Sequence, residues 1–184
     1  MNSGTTMTSR VVLMNATGLR LAIGRMAHEI AERNSGVARL LIVGVQKGGI
    51  HLAARLSAEL EKLLGHPVPP GQLDVALHRD DLHQRPAPTV HPTNLPGDVN
   101  GATVILTDDV LFSGRTSRAA LDALHHYGRP DRVQLAVLID RHGHRQLPIQ
   151  ADYVARKLDT RPAQRVEVRW VEDGGDDGVY LEAP

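Results

Sequence analysis

Val104-Ile-Leu-Thr-Asp-Asp-Val-Leu-Phe-Ser-Gly-Arg-Thr-Ser117 runs from an apolar stretch, through an acidic pair, directly into the start of a helix. Val104, Ile105 and Leu106 follow the turn signal Asn100-Gly101 and have the unbroken apolar character of a strand buried on both faces of a parallel sheet. Asp108 and Asp109 then stand at the carboxyl end of that strand. Ligands of open α/β sheets bind in the crevice beyond those ends, so two carboxylates there can accept hydrogen bonds from a vicinal diol, directly or through a metal. Ser113 to Ser117 precede residues 118–127, an expected helix closed by Gly128 and Pro130. Hydroxyl residues and a glycine at a helix amino terminus present N–H and O–H donors to an oxygen-rich anion. Capping by Asp108 or Thr116 and a tight turn at Gly114 would explain those residues singly. They would leave the acidic pair unexplained, so the stretch predicts a site for a phosphorylated sugar.

Outward from this stretch, helical and extended signals alternate, as expected for βαβ units around a parallel sheet, with no internal repeat or long linker. Ala22, Ile23, Met26, Ala27 and Ile30 have helical spacing and end near Asn34-Ser-Gly36; residues 39–45 should form the first central strand. Gly48 and Gly49 turn the chain into a helix expected over 50–64 and closed by Gly65 and Pro67, and residues 72–77 are the next expected strand. Residues 83–98 carry Pro86, Pro88, Pro92 and Pro96 and predict a long flexible loop of the kind that serves as a lid. Residues 133–139 form another apolar strand, ending at Asp140-Arg141. Residues 164–171 alternate as an edge strand or hairpin arm, with Val179-Tyr-Leu181 as the expected partner.

The 184 residues, 41% of them hydrophobic, suit one domain better than two, with residues 1–10 expected to be disordered. Cysteine is absent, which excludes disulfides and thiolate metal sites and is compatible with a reducing cytoplasm. No apolar run approaches the ~20 residues that span a bilayer, so neither membrane insertion nor export is expected. The formal charge of zero is uneven: residues 171–184 hold five acids and no Lys or Arg, leaving 21 basic against 16 acidic residues elsewhere. Such a body could offer a basic face to nucleic acid, although an ordinary mixed-charge surface is the plainer reading. A single Trp and a single Phe are too few for an aromatic platform that stacks on single strands.

The stretch 104–117 resembles the phosphoribosyl-pyrophosphate (PRPP) motif of type I phosphoribosyltransferases. Further matches resemble PyrR, the bifunctional pyrimidine-operon regulators and uracil phosphoribosyltransferases. They are Arg25-Met-Ala-His-Glu-Ile-Ala-Glu-Arg-Asn34, Leu41-Ile-Val-Gly-Val45, His78-Arg-Asp-Asp-Leu82, Gly128-Arg-Pro130, Gln134-Leu-Ala-Val-Leu-Ile-Asp-Arg141, Gly143-His-Arg-Gln-Leu-Pro-Ile149 and Ala151-Asp-Tyr153. The resemblance implies an α/β type I phosphoribosyltransferase fold with a central, mainly parallel twisted sheet, flanking helices, a small hood and a flexible loop. It implies that uracil and PRPP are converted to UMP and diphosphate, with Mg²⁺ accompanying PRPP. Implied PRPP contacts are Lys47, Gly48 and the run Val104, Ile105, Leu106, Thr107, Asp108, Asp109, Val110, Leu111, Phe112, Ser113, Gly114, Arg115 and Thr116. Asp108 and Asp109 would hold the diol and meet Mg²⁺ indirectly through PRPP; Arg79 would stabilise departing pyrophosphate. The uracil side is expected at Asp140 and Arg141, with a hood around residues 155–160.

The same resemblance implies a homodimer, able to form higher homo-oligomers, that binds the leader of pyrimidine-operon messenger RNA when UMP or UTP is present. Arg25, His28, Arg33, Arg141, Arg145 and Arg156 match the RNA-binding surface by position or charge. Singly, each has a plain surface reading; Arg25, Glu29 and Arg33 have the i, i+4 spacing of helix ion pairs. Two departures matter. The family's Thr-Arg-Gly in the loop after the first strand is replaced within Gln46-Lys47-Gly48-Gly49, and Lys47 cannot reproduce a bidentate arginine fork, so weakened catalysis is expected. Arg141-His-Gly-His-Arg145 is one residue longer than the family's run, and its His142/His144 pair is better read as surface histidines than as a metal site. His78, where the family usually has Tyr, receives no catalytic role. The alternatives are a salvage phosphoribosyltransferase without an RNA role and a purine enzyme; the Arg-Asp-Asp-Leu and Asp-Arg matches disfavour the latter.

Overall fold

A computed structural model of the chain describes residues 10–81 and 89–183. Five strands form a parallel sheet in the order β3(Pro70–Leu73), β2(Leu40–Val45), β4(Thr103–Leu111), β5(Arg132–His142), β6(Tyr153–Asp159). α1(Ala16–Arg33) and α2(Gly48–Leu64) contribute to the core on one face, and α3(Arg115–Leu124) to the core on the other. The alternation within strands follows from this double cover: Ile42 and Ile105 join the α1/α2 core, whereas Leu41, Val43, Val104 and Leu106 join the α3 core. Both sets must be apolar, which is why β2 and β4 read as continuous apolar runs. Asn15 caps α1 by accepting the Gly18 N–H at 2.9 Å, and Gly65, at φ 72°, ends α2.

A second, three-stranded antiparallel sheet forms the hood, in the order β1(Arg10–Asn15), β8(Gly178–Glu182), β7(Arg165–Arg169). The expected pairing of residues 164–171 with 179–181 is therefore present, with Val166 opposite Leu181. Val166, Trp170 and Val179 seat the hood on the α1/α2 core.

Several boundaries differ from expectation. The predicted 72–77 strand ends at Leu73, because Asp74 Oδ1 accepts the Ala76 N–H at 2.7 Å and diverts the chain into a 3₁₀ turn at Ala76–His78. Residues 155–160, expected in the hood, lie mostly in β6 of the parallel sheet. Asp152 fastens the start of that strand, donating its N–H to Leu135 O and accepting the Leu135 N–H on its carboxylate, both at 2.8 Å. β1 was not anticipated from sequence; Arg10, placed within the expected disordered segment, begins it, while residues 1–9 lie outside the described residues. Of the expected 83–98 loop, residues 83–88 lie outside the described residues. The rest is anchored to β3: Asn94 exchanges two backbone hydrogen bonds with Gln72, at 2.8 and 2.9 Å, and Asp74 accepts the His91 N–H.

Leu56 of α2 is fully buried in the core shared with the hood. Leu56→Ala is expected to cost about 2–5 kcal/mol, checked by urea unfolding.

Candidate active site

The parallel pairing of β2 with β4 brings the loop after β2 and the acidic end of β4 to the same edge of the sheet. Their approach is close enough to require glycine. A Cβ on Gly49 would lie 2.1 Å from Thr107 O, and one on Gly44 would lie 2.5 Å from Ile50 Cα. Both obstacles are backbone, which cannot yield as a side chain can. Thr107, fully buried, donates its hydroxyl to Gly49 O at 2.7 Å and stitches the two segments together.

β4 does not stop before the acidic pair but carries it onward to Leu111. Asp108 is 7% exposed, and its Oδ1 accepts the Asp109 N–H at 3.0 Å; Asp109 Oδ1 accepts the Val110 N–H at 2.7 Å. Burial, reinforced by the adjacent Asp109 carboxylate, pushes Asp108 well above the ordinary carboxylate range. Burial also raises Asp109, opposed by the Val110 N–H. Two adjacent carboxyls, one buried and one half-buried, favour losing their charge unless a cation or hydrogen-bond donors compensate. Such a pair is chemically suited to accept hydroxyl donors or to face a cation.

Beyond the strand, a cleft of about 280 Å³ is walled by Arg79, Asp81, Asp108 and residues 110–117. Gly114, at φ 90°, turns the chain into α3, and the Ser113 hydroxyl accepts the Arg115 N–H at 3.4 Å. Ser117, 3% exposed, keeps a hydroxyl without a hydrogen-bond partner facing this region. Arg79 is gripped by Asp81 through two bonds at 2.9 and 3.0 Å, while Arg115 meets Asp80. Lys47 is the exposed cap of α2 and makes no side-chain capping bond. Val104, Ile105 and Leu106, by contrast, are core residues of the sheet that support the site from behind.

The loop entering α3 is braced by a segment whose arginines the sequence reading placed elsewhere. Arg145 donates to Phe112 O, to Leu111 O at 3.3 Å and to Ile149 O at 3.1 Å, and pairs with Asp140. Arg115 Nε donates to Gln146 Oε1 at 2.9 Å, and Gln146 N to Ser113 O at 3.0 Å. Arg141, 6% exposed, lies 4.1 Å from the centre of the Phe112 ring and donates to Thr160 Oγ1 and Arg161 O. Arg141 and Arg145 thus spend their guanidinium groups inside the protein. An unbroken Gly-His-Arg-Gln-Leu-Pro-Ile run shows no periodicity that would have revealed the brace. His144 likewise bonds Thr160 O at 2.7 Å, and no group of three or more metal-ligating side chains occurs among the described residues.

Arg25, His28, Arg33 and Arg156 occupy a separate region, where α1 crosses β6. Arg25 donates to Ala155 O at 2.5 Å, Arg33 to Asp152 O at 3.1 Å, and Arg156 to Leu13 O; His28 bonds Gly24 O at 2.8 Å. The expected Arg33–Glu29 ion pair is present at 2.7 Å. Arg25 and Arg156 line a groove of about 710 Å³ between β1, α1 and β6.

A carboxyl group whose value is raised by folding favours the fold most below its unfolded value, and that advantage is lost as pH climbs through the folded value. Asp108→Asn, which keeps the acceptor oxygen, is therefore expected to be more stable than the parent at pH 7. The difference should shrink toward about pH 4, near the unfolded carboxylate value, in thermal melts across that range.

Residues 13–172 match the model of the phosphoribosyl transferase domain. The chain is 54% identical over 171 residues to the bifunctional protein PyrR of Roseiflexus sp. (strain RS-1), covering 92% of this chain and 93% of the relative. It is 46% identical over 180 residues to the protein of the same name from Listeria monocytogenes, covering 95% and 98%. Among solved structures it is similar in fold to the hypoxanthine phosphoribosyltransferase of Trypanosoma cruzi, with a TM-score of 0.67 at 20% identity, covering 93% of this chain and 94% of the other. A hypoxanthine-guanine phosphoribosyltransferase from Bacillus anthracis gives a TM-score of 0.66 at 18% identity, covering 81% and 84%. By this identity over nearly its whole length, the chain belongs to the PyrR family of phosphoribosyltransferases.

Proposed function

We propose that this protein transfers the phosphoribosyl group of PRPP to uracil, forming UMP and diphosphate, and that it binds pyrimidine-operon leader RNA in response to uridine nucleotide. The observation that carries the first half is the buried Asp108 on the wall of a cleft of about 280 Å³ that the loop entering α3 also lines, with Asp109 beside it against the loop after β2.

As the pyrimidine nitrogen displaces pyrophosphate, positive charge develops on the ribose and negative charge on the leaving group. The protein's task is to position and neutralise. Asp108 and Asp109 hold the diol, and their negative charge favours the developing cation. Gly114, Arg115, Thr116 and the Ser113 hydroxyl hold the 5-phosphate at the start of α3. Arg79, on the wall beside Asp108, meets the departing pyrophosphate together with Lys47 and the backbone of Gly48. The base lies toward Asp140 and Arg141. Two adjacent carboxylates with oxygen-only donors fit Mg²⁺, which binds through one or two carboxylates and substrate phosphates. When bound with PRPP it supplies charge neutralisation between diol and pyrophosphate.

The RNA surface is the α1/β6 face, where Arg25, His28, Arg33 and Arg156 gather from two elements. Phosphate contacts there supply affinity, and unstacked loop bases supply sequence choice. Val11, Val12 and Leu21, exposed beside the groove, suit a homodimer contact.

Uracil-dependent pyrophosphate release in the presence of PRPP and Mg²⁺ tests the enzyme. Asp109→Asn is expected to lower kcat/KM by about 10²-fold or more with the fold intact; unchanged kinetics would remove the assigned role. For RNA, Arg25→Ala and Arg156→Ala should each weaken leader binding and reduce the slope of log affinity against log salt by about 1. Equal binding to leader and scrambled stem-loop would sink the RNA reading.

A further inference from the structure

Gly48 and Gly49 begin α2 side by side, yet they are glycines for different reasons. A Cβ on Gly49 would strike the backbone of β4. One on Gly48 would lie 2.2 Å from Oδ2, 2.3 Å from Cγ and 2.8 Å from Oδ1 of Asp109. The carboxylate of Asp109 therefore fills the volume that a side chain at position 48 would occupy. Its Oδ1 is held there by the Val110 N–H at 2.7 Å. α2 has no acidic residue in its first turn and no side-chain cap, so Asp109 brings from β4 a negative charge that the helix start lacks in its own sequence.

A carboxylate resting on this loop opposes an arriving pyrophosphate, since two anions in a poorly solvated site repel strongly. It is also not free to meet a ribose diol in the cleft while it leans on residue 48. Resting contact and substrate contact thus compete for one side chain.

We infer that Gly48 is a positioning residue: by leaving its Cβ volume empty it gives Asp109 a resting seat against the loop, which PRPP must vacate before diol and pyrophosphate are held together. This rests on the PRPP reading of the cleft. The fraction of molecules with Asp109 out of its seat scales the apparent affinity for any ligand that needs the loop. Inorganic pyrophosphate has no diol and reports the seat alone, whereas PRPP reports the seat and the diol contact together.

The test is calorimetric titration of inorganic pyrophosphate, without divalent cations, into the full chain and into Asp109→Asn, Asp108→Asn and Gly48→Ala, alongside KM and kcat for PRPP with Mg²⁺. Gly48→Ala and Asp109→Asn are expected to bind pyrophosphate about fivefold tighter or more, in the range of ordinary coupling between sites. Asp108→Asn, which makes the same carboxyl-to-amide change one residue away, should change it less than about twofold. Gly48→Ala should also lower KM for PRPP, whereas Asp109→Asn should lose turnover while gaining pyrophosphate affinity. Equal gains in both aspartate variants would mean bulk charge alone and overturn the inference, as would weaker pyrophosphate binding by Gly48→Ala. Should Gly48→Ala misfold, the contrast between the two aspartate variants still decides. Parent protein that binds neither PRPP nor pyrophosphate would overturn the cleft assignment itself, and this inference with it.

Discussion

The close approach of the β2–α2 turn to β4 is the constraint on which the cleft depends. Parallel pairing through Gly44 and Thr107 sets the two strand ends level; Gly49 lets the turn meet β4, and Gly44 lets the start of α2 rest on β2, where any Cβ would collide. The Thr107 hydroxyl then converts that proximity into a bond. Widening this junction would separate the start of α2 from the carboxylates of β4, the two groups to which the proposed function gives the two ends of PRPP.

Around that junction, the remaining polar interactions act as fasteners. Arg145 and Gln146 hold the loop entering α3 from behind, so its geometry derives from a segment some thirty residues later in the chain. The acids after residue 170, which in sequence looked like a detached acidic end, are partly consumed in fastening the hood. Arg55 forms paired bonds of 2.6–2.9 Å with Glu172 and Asp177 and lies 4.8 Å from the Trp170 ring, while His51 bonds Asp173 at 3.1 Å. A charge-assisted bidentate arrangement of this kind, partly buried, holds orientation better than scattered surface pairs. Glu172, Asp173 and Asp177 are thus spent on anchoring the hood to α2.

The basic α1/β6 face and the cleft are built on one sheet, with β5 between β4 and β6. β6 pairs with β5, whose end carries Asp140 and Arg141, and β6 itself begins under Asp152, where Arg33 also docks. A change at the base end of β5 therefore has a short covalent and hydrogen-bonded route to the face proposed for RNA. Coupling between nucleotide and RNA needs no element beyond those already packed in the sheet.

The order of elements, the double-sided burial of β2 and β4, the acidic pair beside a helix start and the hairpin of residues 165–182 were legible in sequence, because each is written in local periodicity or turn chemistry. The extent of the elements was less so: Asp74 ended a strand through a side-chain bond that apolar pattern does not register, and β1 formed only because β8 was there to pair with it. The roles of Arg141 and Arg145 were not legible at all, since a guanidinium facing solvent and one clamping buried carbonyls are the same letter. What sequence alone determined is which chemistry is present and along which strand it lies, because those follow from neighbours within a few residues. Only tertiary structure decided which groups meet, that Gly48 yields its space to Asp109 and that the acidic end grips Arg55, because such contacts join residues far apart in the chain and depend on distances that no spacing encodes.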